Sequence, residues 1–121
     1  MTVREVQLVG CFAELGYAGA PSIMSSRGRG RWENKTAVTE YLRAGEVMLA
    51  SPGVVRDAFT PGQIAGSKAV LTDGRFAWFD ALAFFVDQYD VELPVEFVEH
   101  MVLHGYRIPT DLKVVGLKLR R

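Results

Sequence analysis

Residues 68–79 read Lys-Ala-Val-Leu-Thr-Asp-Gly-Arg-Phe-Ala-Trp-Phe, two short apolar runs on either side of Asp73-Gly74. An Asp-Gly pair tolerates the positive φ angles of a type I′ turn, so the stretch predicts a β-hairpin over Lys68–Phe79. Downstream, Asp80 is placed to cap a helix reaching about Tyr89. Leu82, Ala83, Val86 and Tyr89 fall on one side of it, and Phe84 and Phe85 widen the apolar surface. Leu93-Pro94 breaks that helix, because proline has no amide hydrogen and disfavours the helical region for the residue before it. A second helix is predicted over Val95–His104, with Phe97, Val98, Met101 and Val102 inward, Glu96, Glu99, His100 and His104 outward, and Gly105 at its end. Partial alternation through Val114, Val115, Leu117 and Leu119 predicts one last strand before the basic end Lys118, Arg120 and Arg121.

Upstream, Glu46–Ala50 reads as a strand closed by the Ser51-Pro52-Gly53 turn, and Pro61-Gly62 closes the Val54–Phe59 segment. The residues flanking these two Pro-Gly turns share no pattern, so they do not mark a repeat. Asn34 is placed to cap a helix over about Thr36–Ala44, with Val38, Tyr41 and Leu42 on one face and Gly45 as its stop. Residues 16–33 carry turn-forming glycine, proline and serine and predict a mobile loop. Val6, Val9 and Ala13 follow helical spacing within Val3–Leu15, although Val3, Gln7, Leu8 and Cys11 leave a strand open there. Together these elements predict one α+β domain over residues 1–121, a short antiparallel sheet that includes the hairpin, packed by three to four helices.

The 121 residues are 49% hydrophobic, enough to fill a single core, and Lys plus Arg equals Asp plus Glu at 14 each. With no net charge there is no global field for nucleic acid or anionic lipid, so any electrostatic partner must be selected by local patches. Met1–Gly10 includes Arg4 and Glu5, which argues against a signal peptide or a membrane span. The single cysteine, Cys11, cannot form an internal disulfide and sits among Leu8, Val9 and Phe12, the setting of a buried thiol in a reducing compartment. A cytoplasmic protein is the expectation.

Little in the chain dictates a reaction. Glu96, His100 and His104 recur every four residues, and imidazoles at that spacing can chelate zinc from one helix face. Position 101 is Met, however, where a metalloprotease helix needs glutamate after its first histidine, and no fourth ligand is identified, so the stripe reads as a solvated polar face and no metal site is assigned. Ser51, Ser67 and Cys11 lie on no nucleophile elbow. Gly28-x-Gly30 lacks the third glycine and preceding strand of a dinucleotide site, and no cofactor is called for. A small enzyme or metal-dependent hydrolase using His100 and His104 stays open as an alternative. So does a nucleic-acid module in which Arg27, Arg29, Arg31 and Lys35 meet phosphates while Trp32 stacks a base.

Charge is distributed less evenly than its total. Between Phe76 and Tyr106 lie Asp80, Asp87, Asp90, Glu92, Glu96 and Glu99 without a single Lys or Arg. A surface of one sign repels phosphate and steers a basic partner toward itself. The predicted partner-binding residues are Asp80, Asp87, Asp90, Glu96 and Glu99 for charge, with Trp78 as the aromatic anchor.

The run Leu71-Thr72-Asp73-Gly74 leading to Phe76-Ala77-Trp78, the Phe84-Phe85 pair, and Tyr89-x-Val91-x-Leu93-Pro94-x-Glu96-Phe97 resembles a pattern found in small bacterial proteins, many of them actinobacterial. Some proteins of that kind are similar to immunity proteins that neutralise a neighbouring toxin. The resemblance implies a protein-binding module whose partner is a basic toxin or enzyme.

Overall fold

In chain order the elements are β1 (Arg4–Leu8), α1 (Lys35–Ala44), β2 (Glu46–Leu49), β3 (Val54–Arg56), β4 (Ile64–Ser67), β5 (Val70–Thr72), β6 (Phe76–Phe79), α2 (Leu82–Tyr89), α3 (Val95–Leu103) and β7 (Leu117–Arg120), with short 3₁₀ turns at Ala13–Leu15 and Ile23–Ser25. They come from a computed structural model that describes residues 4–15, 17, 19–60 and 62–120. Five strands form one sheet in the order β2-β5-β6-β1-β7, and β3 pairs with β4 as a separate hairpin. The domain is α+β with three α-helices, but its main sheet is mixed rather than antiparallel. β1 runs parallel to both β6 and β7, with Gln7 in register with Phe76 on one side and Arg120 on the other.

That strand, interior to the sheet, replaces the helix expected over Val3–Leu15, of which Val3 lies outside the described residues. Val6 and Leu8 are buried while Arg4 and Glu5 are exposed and Gln7 is half-buried, a period of two. The apparent helical stripe lost to pairing on both edges, and tertiary partners of this kind override local propensity.

The hairpin forms where it was expected, with Leu71 opposite Trp78. Its turn is longer than a two-residue type I′ loop: Thr72 pairs with Ala77, leaving four residues between. In that connection Gly74 alone has a positive φ, +94°. Side chains close the loop instead. Asp73 Oδ1 accepts from the amides of Arg75 (2.8 Å) and Phe76 (2.7 Å), and Thr72 Oγ1 accepts from Gly74 N–H (3.0 Å) while donating to Phe76 O (2.7 Å).

Helix α1 starts where Asn34 was placed, its side chain accepting from Ala37 N–H at 3.1 Å. Asp80 does not cap α2. Its Oδ2 accepts from the amide (3.1 Å) and hydroxyl (2.9 Å) of Ser67, tying β4 to the end of β6, while Ala81 precedes the helix without a side-chain cap. The helices cover one sheet face, where Trp78 is fully buried against Tyr41 and Phe97 and donates Nε1–H to Leu42 O at 2.9 Å. The other face packs Val6, Leu8, Val70 and Ala77 beside Met48, Phe79 and Leu117. Cys11 joins this second cluster half-buried, more open than the buried thiol expected.

Gly16 and Ala18, in the segment read as a mobile loop, lie outside the described residues. Further along, Ile23 is buried in the main core, and Gly28 and Gly30 donate to the carbonyls of Tyr89 and Asp90, each at 2.8 Å. This stretch is therefore laced to the end of α2. Among the described residues no helix is long and apolar enough to cross a membrane.

Candidate functional site

Helix α3 carries the features that look outward. Phe97 and Met101 are buried one turn apart and fix its inner face, with Phe97 against Phe76 and Trp78. The outer side leaves Val95 66%, Val102 50% and Leu103 81% exposed, so Val102 faces solvent rather than the core. Glu96 and Glu99 are exposed on the same helix, and neither makes an ion pair with a described residue. An open groove of about 430 Å³ runs from Val98, Val102 and Leu103 across to Trp32, with Tyr106 also lining it. It is mostly apolar, rimmed by Glu33 and Glu99 and by Arg31, whose guanidinium donates to the carbonyls of Gly28 (3.2 Å) and Gly30 (3.1 Å).

Trp32 is held at this groove from behind. Its Nε1–H donates to Asp90 Oδ1 at 3.2 Å, and Lys35 Nζ meets the same oxygen at 2.9 Å. The hydrogen bond from Lys35, with its charge and the Trp32 donor adding to it, holds the Asp90 carboxyl below its ordinary range. Asp90 itself sits in the left-handed region (φ +49°) as the residue that ends α2.

The predicted partner-binding residues therefore separate. Trp78 has no exposed surface and cannot anchor a partner, because the hairpin turns its indole under the helices. Asp80 is taken up by Ser67, and Asp90 by Lys35 and Trp32. Asp87 is half-buried and accepts from Gln88 Nε2 at 3.0 Å. Glu96 and Glu99 stand together on α3, with Glu92 exposed just before it.

The histidines do not form an outward stripe. His100 is half-buried and points Nε2 toward Oδ2 of Asp73, 3.5 Å away, while its ring meets Phe76 edge-on and lies 4.4 Å from the His104 ring. Asp73, itself buried, also accepts a short hydrogen bond from the Tyr41 hydroxyl. One carboxylate thus joins α1, α3 and the β5–β6 turn. Burial lowers the pKa of His100, opposed by the Asp73 charge and aided by His104 and Arg75. Burial and then Asp73 push the Tyr41 hydroxyl up. The groove beside Trp32 is lined by neither His100 nor His104, and among the described residues no three His, Cys, Asp or Glu side chains gather as a metal site. The constellation reads as a structural hub, which the sequence hides because Asp73 beside Gly74 has the local pattern of a turn residue.

The basic stretch is also engaged internally. Arg27 stacks its guanidinium over Phe59 (4.8 Å) and Tyr89 (5.0 Å), Arg31 caps carbonyls, and Lys35 pairs with Asp90. These contacts leave Arg29 as the exposed cation of the four without such a tie. Comparison with protein-family models, with curated proteins and with solved structures finds no match for this chain.

Proposed function

We propose that this chain is a protein-binding module of the immunity type, which neutralises a basic toxin or enzyme by covering its working surface with the outer face of α3. The observation that carries this reading is the exposure of Val102 and Leu103 beside Glu99, at the mouth of a groove lined by Trp32, with Glu96 exposed earlier on the same helix. Large apolar side chains rimmed by charge are the composition of a contact surface rather than of a passive one. Carboxylates at the rim pair with cations that the partner uses on its own substrate, and the groove takes an apolar side chain that anchors the complex. Trp32 and Leu103 take the place of Trp78 in this reading. The resemblance of Leu71–Phe97 to small bacterial immunity-like proteins supports the same assignment, and the lone cysteine fits a cytoplasmic setting.

The test is affinity capture from native lysate at low and moderate salt, comparing the wild-type chain with Leu103→Asp and with Glu96→Lys/Glu99→Lys. A single stoichiometric basic protein, captured by the wild type and lost with both variants, is the expected result. Capture indifferent to both sets of substitutions would sink the placement on α3.

A further inference from the structure

A second, larger groove of about 680 Å³ opens at the N-terminal end of α3, against the β1–β7 half of the sheet. That volume falls in the range of sites that take small organic ligands. Gln7 of β1 lies on its floor. On one side Gln7 is in register with Phe76, whose neighbour Arg75 lines the groove, and on the other with Arg120, which donates Nε–H to Gln7 Oε1 at 3.2 Å. Adjacent strands are about 4.8 Å apart, so the two guanidiniums rise from positions roughly 10 Å apart across β1. A further wall comes from Glu92 and Glu96, at the entry to α3.

None of these four charged side chains forms an ion pair with a described residue; both cations come from the sheet side and both of these carboxylates from the helix side. Glu5 on β1 adds one exposed carboxylate to the sheet side, where Arg75 and Arg120 leave the positive sign in excess. Val9 and Leu93 supply apolar surface between the two walls. A purely anionic ligand would meet repulsion from one wall and a purely cationic ligand from the other, whereas a ligand with separated charges satisfies both.

We propose that this groove binds a short unblocked peptide, its terminal carboxylate on Arg75 and Arg120 and its terminal ammonium on Glu92 and Glu96. The site shares Glu96 with the charged side of α3 described above, but it lies in a separate groove and does not depend on the function assigned there. Titration of isotope-labelled protein followed by amide NMR, with tri-alanine, its N-acetylated form and its C-terminal amide, tests it. Tri-alanine is expected to shift the amides of Gln7, Val9 and Val95, and each block to weaken binding by about tenfold, the effect of losing one charge-assisted hydrogen bond. Arg75→Gln/Arg120→Gln should abolish the discrimination against the amide, and Glu92→Gln/Glu96→Gln that against the acetylated form. All four side chains are exposed, and thermal melts check that the variants fold. Absence of shifts at millimolar tri-alanine, equal binding of the blocked forms, or discrimination unchanged in the variants would each overturn the assignment.

Discussion

The imidazole of His100 points inward from α3 and holds Nε2 3.5 Å from the buried Oδ2 of Asp73, so the last helix is fastened to the turn of the hairpin beneath it. Burial lowers the pKa of His100 from its ordinary 6.5, against the attraction of Asp73. As pH falls, the unfolded chain therefore takes up this proton before the folded one does. The contribution of neutral His100 to stability is complete above about pH 6.5 and is lost as pH drops from there toward the lowered folded-state value. Urea unfolding at pH 7.5, 6.5 and 5.5 should show a larger fall for the wild type than for His100→Gln. Parallel curves for the two proteins would remove His100 as the source.

Asp73 is the other half of that contact, and its carboxylate has more dependants than the histidine. Asp73→Ala would strip the acceptor from the Tyr41 hydroxyl and from the amides of Arg75 and Phe76 at once. Each buried donor left unsatisfied costs about 1–3 kcal/mol, so a loss of about 3 kcal/mol or more is expected. Tyr41→Phe removes only one donor from the hub and should cost less, about 1.5–3 kcal/mol for a single hydrogen bond to a charged group. Chemical denaturation of both variants at pH 7.5 compares them, and equal losses would contradict the hub.

Gly45 ends α1 with φ −56°, a value open to any residue, so its need for glycine is one of space. A Cβ there would lie 2.7 Å from Trp78 Cζ2 and 3.0 Å from Leu71 Cβ. Gly45→Ala should destabilise by about 1–3 kcal/mol, the range for forcing a methyl group into a packed core. The emission of Trp78 should shift along with it. A neutral or stabilising effect would mean that the indole moves freely, against its complete burial.

The position of Gly45 could be read from the sequence, but its reason could not. Local chemistry was legible wherever it acts over a few residues: the Asn34 cap, the break at Leu93-Pro94, and the hairpin around Asp73-Gly74. The misreadings share a different cause. Val6–Leu8 is a strand because β6 and β7, about 70 and 110 residues away in the chain, pair with its two edges. Asp80 serves Ser67 thirteen residues back rather than the helix after it, and Trp78 is covered by helices from both sides of it in sequence. Of the candidate site, Glu96 and Glu99 were legible because they are helical and charged. The apolar half was not, since helical spacing alone put Val102 in the core and nothing local brings Trp32 to α3.

Val102 and Leu103 provide the sharpest separation between a role in folding and a role in contact. Both are at least half exposed, so replacing either with Asp should change stability by no more than about 0.5 kcal/mol, the usual span for surface positions. Val98, one turn earlier on α3, packs against the main core and borders the same groove. Val98→Asp puts a carboxylate at a half-buried position against the core and should cost more. Thermal melts of the three variants establish that order. If Leu103→Asp destabilises as much as Val98→Asp, Leu103 is needed for folding, and the outer face of α3 loses its claim to be a surface kept apolar for a partner.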